Sequence, residues 1–186
     1  MSLLVTGLML WVVIHLFPSI CKNTRATIVE KIGLMPYKGL FAILILLSMV
    51  LIVIGWQSIS PEDIYIPAAW GRYITFILVL LTFILFVAAK RKTNIKRVLR
   101  HPQLTGLVLW SIGHMFANED NRSVILFTAL GIWAILEIIM INKREGVWKK
   151  PEAVPMKSDV ITVTGGFVLY AALIFAHPYI TGIKLM

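Results

Sequence analysis

The sequence predicts an all-α fold: a polytopic membrane protein of six transmembrane helices, the fourth and fifth forming a hairpin, in one integral membrane domain over residues 1–186. Three observations predict it. Of the residues, 59% are apolar and 15% charged, against about 45–50% and about 25% in a globular chain, and mean hydropathy is +0.85. The apolar residues gather in six runs near the length of about 20 that crosses a bilayer as a helix. The basic residues gather in alternate connections between those runs, as membrane sidedness requires.

The first run, 2–20, has no basic residue ahead of it and no small-x-small cleavage pattern behind it, which marks a retained helix rather than a cleaved leader. Pro18 is expected to bend its end. A polar connection follows from Cys21 to Lys38, and then 39–57 is uncharged and rich in Leu, Ile and Val. Ser58 to Asp63 reads as a loop. The third run, 67–89, holds Arg72 near its start, where a long side chain reaches the interface, and the basic segment Lys90 to Arg100 closes it. The fourth, 102–118, is short. The polar tetrad Asn118-Glu119-Asp120-Asn121 turns the chain into the fifth, 122–142, and a second basic loop, Lys143 to Lys157, leads to the sixth, 160–182.

The connections after runs one, three and five hold four, six and five basic residues, 15 of the 18 in the chain; Arg72, Arg122 and Lys184 lie on the other side. By the positive-inside rule those three connections are cytoplasmic and both termini lie across the membrane. The formal charge of +9 is thereby read as topology and anionic-lipid contact, and nucleic acid is excluded as a partner. Cys21 is the only cysteine, so an internal disulfide and a thiolate metal cluster are excluded as well.

A polar side chain inside a span needs a partner or a task. The candidates are His15, His114 and His177 within runs one, four and six, His101 at the start of run four, and Glu137 in run five. Four imidazoles without thiolates point to haem, copper or iron. His101 and His114 are 13 residues apart, about 20 Å of rise and roughly 220° of rotation on a helix, so one ion cannot take both. Depth matches His114 with His177 near the outer ends of their helices, and Glu137 with His15 near the cytoplasmic ends, where a carboxylate–imidazole contact is expected. Gly106, Trp110, Gly113 and Ala117 share a face expected to be a close-packing seam.

Arg100-His101-Pro102 with Gly106 and Gly113 resembles the cofactor-binding hairpin of isoprenylcysteine- and phospholipid-type membrane methyltransferases. Those families add a tyrosine and a paired-glutamate motif; here Leu104 and Thr105 follow, and Asn142 to Gly146 carries no glutamate pair. The longer string His101-Pro102-Gln103-Leu104-Thr105-Gly106, Leu109-Trp110, Gly113-His114 and Ala117-Asn118-Glu119-Asp120 is similar to the NnrU family of bacterial membrane proteins. His15-Leu16, Pro18-Ser19, Arg25, Gly33, Pro36-Tyr37, Gly39-Leu40, Gly55-Trp56, His177-Pro178 and Gly182 fit the same family, so the resemblance covers nearly the whole chain. Glu119 stands where the family usually has glycine.

The resemblance implies a bacterial inner-membrane protein associated with denitrification and nitric oxide metabolism. It also implies a relation to the plant 15-cis-zeta-carotene isomerase, a membrane enzyme that carries haem b. Carried across from that relative, the axial ligands are His15 and His114; depth keeps His177 as the alternative to His15. Trp110 and Asn118 lie a turn either side of His114, and Arg25 and Arg100 are the expected propionate partners, since guanidinium pairs well with carboxylates. The expected function is haem b binding with redox or gas-ligand chemistry at iron. The alternatives are a haem-handling or assembly factor for nitrite or nitric oxide reductase components, and a haem-dependent isomerase or a methyltransferase-like enzyme.

Overall fold

A computed structural model describes residues 1–182. Among them the chain is all-α, with seven helices: α1 (Ser2–Ile20), α2 (Lys22–Ile32), α3 (Leu34–Gln57), α4 (Gly71–Lys90), α5 (Pro102–Met115), α6 (Asn121–Glu145) and α7 (Met156–Thr181). A short 3-10 turn, Asn94–Arg97, lies between α4 and α5. Lys184, assigned above to the non-cytoplasmic side, lies outside the described residues.

Five of the helices, α1, α3, α4, α6 and α7, are long and apolar enough to cross a membrane. Five of the six expected spans meet this length; the sixth, α5, has 14 residues and rises about 21 Å, against a hydrocarbon layer of about 30 Å. The stretch read as residues 102–118 loses its last turn because the chain leaves the helix at Phe116 to enter the polar tetrad. The connection 21–38 was read as polar loop and instead contains α2, which buries no residue. Its composition hid it, since a mixed polar helix gives no apolar stripe to detect. Gly33, at φ 85°, ends α2, and α3 begins at Leu34, five residues before the expected start; Pro36 fits its first turn, where no N–H donor is needed.

The contacts divide the chain into two compact units: residues 1–66 with 118–146, and residues 67–117 with 147 onward. The first arm of the expected hairpin, α5, packs on α4 in the second unit, and its second arm, α6, packs on α1 in the first.

In the first unit α1 lies along α3 and α6. Small residues allow the approach: a Cβ on Gly7 would stand 2.8 Å from the backbone nitrogen of Ile52, and one on Gly55 would collide with the backbone of Leu4. Asp120 caps α6 by accepting the Ser123 N–H at 3.0 Å. Arg122 then fastens the start of α6 to the end of α3. Its guanidinium lies 3.7 Å from the Trp56 ring centroid and donates to the Trp56 and Ile59 carbonyls at 3.2 and 3.0 Å.

In the second unit α4 holds α5 on one side and α7 on the other. The predicted seam is present at its two glycines. Thr82 Oγ1 donates to the Gly106 carbonyl at 2.9 Å and Thr75 Oγ1 to the Gly113 carbonyl at 2.7 Å, two rungs of equal spacing. A Cβ on Gly166 of α7 would stand 2.6 Å from Ile84 Cα. At the basic end Asp159 of α7 gathers Thr93 Oγ1 (2.5 Å), the Asn94 N–H (2.8 Å) and Asn94 Nδ2 (2.6 Å), which holds the 3-10 turn in place.

Candidate functional site

Each unit carries a tryptophan and a histidine four residues apart on one helix, Trp11 and His15 on α1, Trp110 and His114 on α5. A spacing of four stacks the second side chain over the first. The rings accordingly face each other, with centroids 4.3 Å apart at 35° for Trp11–His15 and 4.7 Å at 50° for Trp110–His114. In both, Nδ1 lies within hydrogen-bond distance of the tryptophan carbonyl, at 2.9 Å for His15 and 2.8 Å for His114.

A carbonyl only accepts, so in each neutral imidazole Nδ1 carries the proton and donates, and Nε2 carries the lone pair. That is the tautomer of an imidazole ready to bind a metal through Nε2, with its orientation set by the bond on the opposite nitrogen.

Around His15 the first unit builds an aromatic cage. Trp133 of α6 meets the imidazole edge to face at 4.7 Å, Phe41 of α3 at 5.7 Å, and Trp11 lies 5.4 Å from Trp133. The indole Nε1 atoms of Trp11 and Trp133 are buried and have no hydrogen-bond partner, an arrangement that costs free energy unless another group is present to accept. The expected contact between Glu137 and His15 is corrected: Glu137 is directed to Ser19, one turn farther along α1, and lies in electrostatic reach of Arg144. Arg144 in turn donates to Ser19 Oγ at 3.0 Å. Depth alone placed Glu137 in the right layer and missed the one-turn offset.

In the second unit His177 of α7 and His114 of α5 interact electrostatically. Thr181 Oγ1 donates to the His177 carbonyl at 2.9 Å and stands 3.1 Å from its Nδ1. His101 occupies the cap position before α5, where its carbonyl accepts the Thr105 N–H at 2.9 Å. It is thus a full helix length from His114 on α5, in accord with the spacing argument. Arg100 precedes it in the same unit.

Asn118 belongs to the first unit, and its carbonyl accepts the Tyr65 hydroxyl at 2.8 Å. The loop before α4 is tied there by Ile64 N–H to the Glu119 carbonyl and by Asn121 N–H to the Glu62 carbonyl, at 2.8 and 2.9 Å. Burial, aided by the charges of Glu119 and Asp120, raises the Tyr65 hydroxyl above its ordinary pKa and keeps it a donor. Arg25 lies on α2, 5.5 Å from the Tyr37 ring centroid.

The chemistry of the donor set fits a haem. Among the described residues no three His, Cys, Asp or Glu gather as a metal-ion cluster, whereas a porphyrin supplies its own equatorial nitrogens and asks the protein for one or two axial ligands. The cage residues Trp11 and Trp133 escaped sequence reasoning because aromatic residues are ordinary on apolar helices. The doubled tryptophan–histidine spacing was the signal that could have found Trp11.

A family model described as NnrU protein matches residues 3–185. No curated protein and no solved structure matches the chain.

Proposed function

As this chain belongs to the NnrU family, we propose that it is a haem b-binding protein of the bacterial inner membrane that serves denitrification or nitric oxide metabolism. The observation that carries the reading is the tautomer set at His15 and His114 by their Nδ1 bonds to tryptophan carbonyls. Both histidines are the ligands that the family resemblance implies, and in both the lone pair rests on Nε2. Haem, when bound, supplies redox or gas-ligand chemistry at iron.

The chain's own residues do the rest. His114 would hold the iron through Nε2, and its Nδ1 bond to the Trp110 carbonyl fixes the ring's orientation. In the first unit His15, ringed by Trp11, Phe41 and Trp133, is the other imidazole that the resemblance implies would hold the group. The unpartnered indole N–H groups of Trp11 and Trp133 support a further group beside His15. Arg100, just before α5, would meet a propionate. His177 is the alternative to His15, favoured by its electrostatic reach to His114.

The membrane reading extends to six crossings with α5 as a short one. If α5 did not cross, the basic connections after α4 and α6 would lie on opposite faces, against the positive-inside rule. Non-helical backbone at the ends of a short crossing is tolerated where protein surrounds it, and the Thr75 and Thr82 bonds to α5 supply such cover.

The test of the binding reading is haem stoichiometry. After expression with a haem precursor and purification in detergent, extraction as the pyridine haemochrome is expected to give about one haem b per chain, retained through a wash with apomyoglobin as competitor. Loss of the haem to apomyoglobin would replace a resident cofactor by a handling role. Absence of haem from the fresh preparation would overturn the proposal.

A further inference from the structure

Where α1, α2, α3 and α6 reach the basic end of the first unit, a pocket of about 550 Å³ is lined by Lys22, Arg25, Lys38 and Arg144, with Tyr37, Phe41 and Pro18 completing the wall. Four cations line it and no carboxylate does. Arg144 is partly neutralised by Glu145 at 3.1 Å and by Glu137; Lys22, Arg25 and Lys38 have no carboxylate partner among the described residues.

Two further observations point to a missing anion. Tyr37 is 9% exposed, and its hydroxyl is buried with no hydrogen-bond partner, so a donor inside this wall has nothing to donate to. The first turn of α2 carries Lys22 and Arg25, has no acidic residue and has no side-chain cap. Cations there repel the positive end of the helix dipole and its free N–H groups. Such an arrangement becomes favourable when an anion sits between them.

We propose that this pocket binds the phosphate of an anionic phospholipid. The phosphate takes the Tyr37 hydroxyl, the Arg25 guanidinium and the Lys22 and Lys38 ammonium groups, and Phe41 and Pro18 meet the start of the acyl chains. The pocket stands where α1, α3 and α6 pass from apolar to basic sequence, the level of a lipid headgroup. The pocket shares Phe41 with the aromatic cage around His15; the proposal rests on the cations and Tyr37 and does not rest on haem binding.

The test uses full-length protein in detergent, titrated with short-chain phosphatidylglycerol, short-chain phosphatidylcholine and inorganic phosphate, and read by native mass spectrometry and thermal shift. Wild type is expected to saturate with phosphatidylglycerol at least about tenfold more tightly than with the other two. Arg25→Gln and Lys38→Gln are each expected to weaken that binding about fivefold, and Tyr37→Phe, which preserves the ring and its packing, by a similar factor of about five. Equal binding of phosphatidylglycerol and phosphatidylcholine, or of inorganic phosphate and phosphatidylglycerol, would overturn it. Unchanged lipid binding in all three variants would do so too, as would loss of haem absorbance in Arg25→Gln, which would assign the pocket to a propionate.

Discussion

An imidazole that donates Nδ1–H to its own helix four residues back has its orientation fixed and its lone pair on Nε2. His15 and His114 both do this, and both lie against a tryptophan ring. These histidines were legible in the sequence because an ionisable side chain in an apolar run stands out; Trp133 was not, because one more aromatic residue on α6 carries no mark. Arg122 shows the same limit, since its place over Trp56 depends on where α3 ends. Removing it leaves two carbonyls without their donor and a ring without its cation, so Arg122→Ala is expected to cost about 2 kcal/mol. A lowered midpoint of thermal unfolding in detergent, with Arg122→Lys recovering part of the loss, checks this; an unchanged midpoint would remove the clamp.

At the scale of helices, hydropathy located every long span to within a few residues, and the differences have local causes. Gly33 and Pro36 set the early start of α3, and the 118–121 turn shortens α5. Composition gave no sign of α2, nor that Gly106 and Gly113 would be met by hydroxyls rather than by methyl groups. Thr82→Val keeps the shape and removes the donor to Gly106, so α4–α5 packing is expected to weaken by about 1 kcal/mol, measured as lowered hydrogen-exchange protection along α5. Protection equal to wild type would assign the seam to shape alone. The short crossing has its own test. In a Cys21→Ala background, a cysteine at Glu119 is expected to react with an impermeant maleimide from the periplasmic side, and one at Lys149 only after permeabilisation. Labelling of both from one side would return α5 to the surface.

For the whole molecule, an apolar chain with five helices long enough to cross a membrane points to lipid as its solvent, and the gathering of 15 of its 18 basic residues in alternate connections is what the proposed topology rests on. What the sequence could not state is the division into two units, because that depends on which helices pair, and the apolar faces of α1, α3, α4, α6 and α7 are too alike to encode pairing by hydropathy. Each unit nonetheless received one tryptophan–histidine pair, and the first also received a cluster of cations at its basic end. Haem ligation by these imidazoles is the central claim, and the absorption spectrum of the detergent-purified protein tests it most directly. Wild type is expected to show a Soret band that His114→Gly loses and added imidazole restores, with His15→Gly, compared beside His177→Gly, deciding the second ligand. A wild-type protein without a Soret band, or a His114→Gly protein that keeps it unchanged, would contradict the claim.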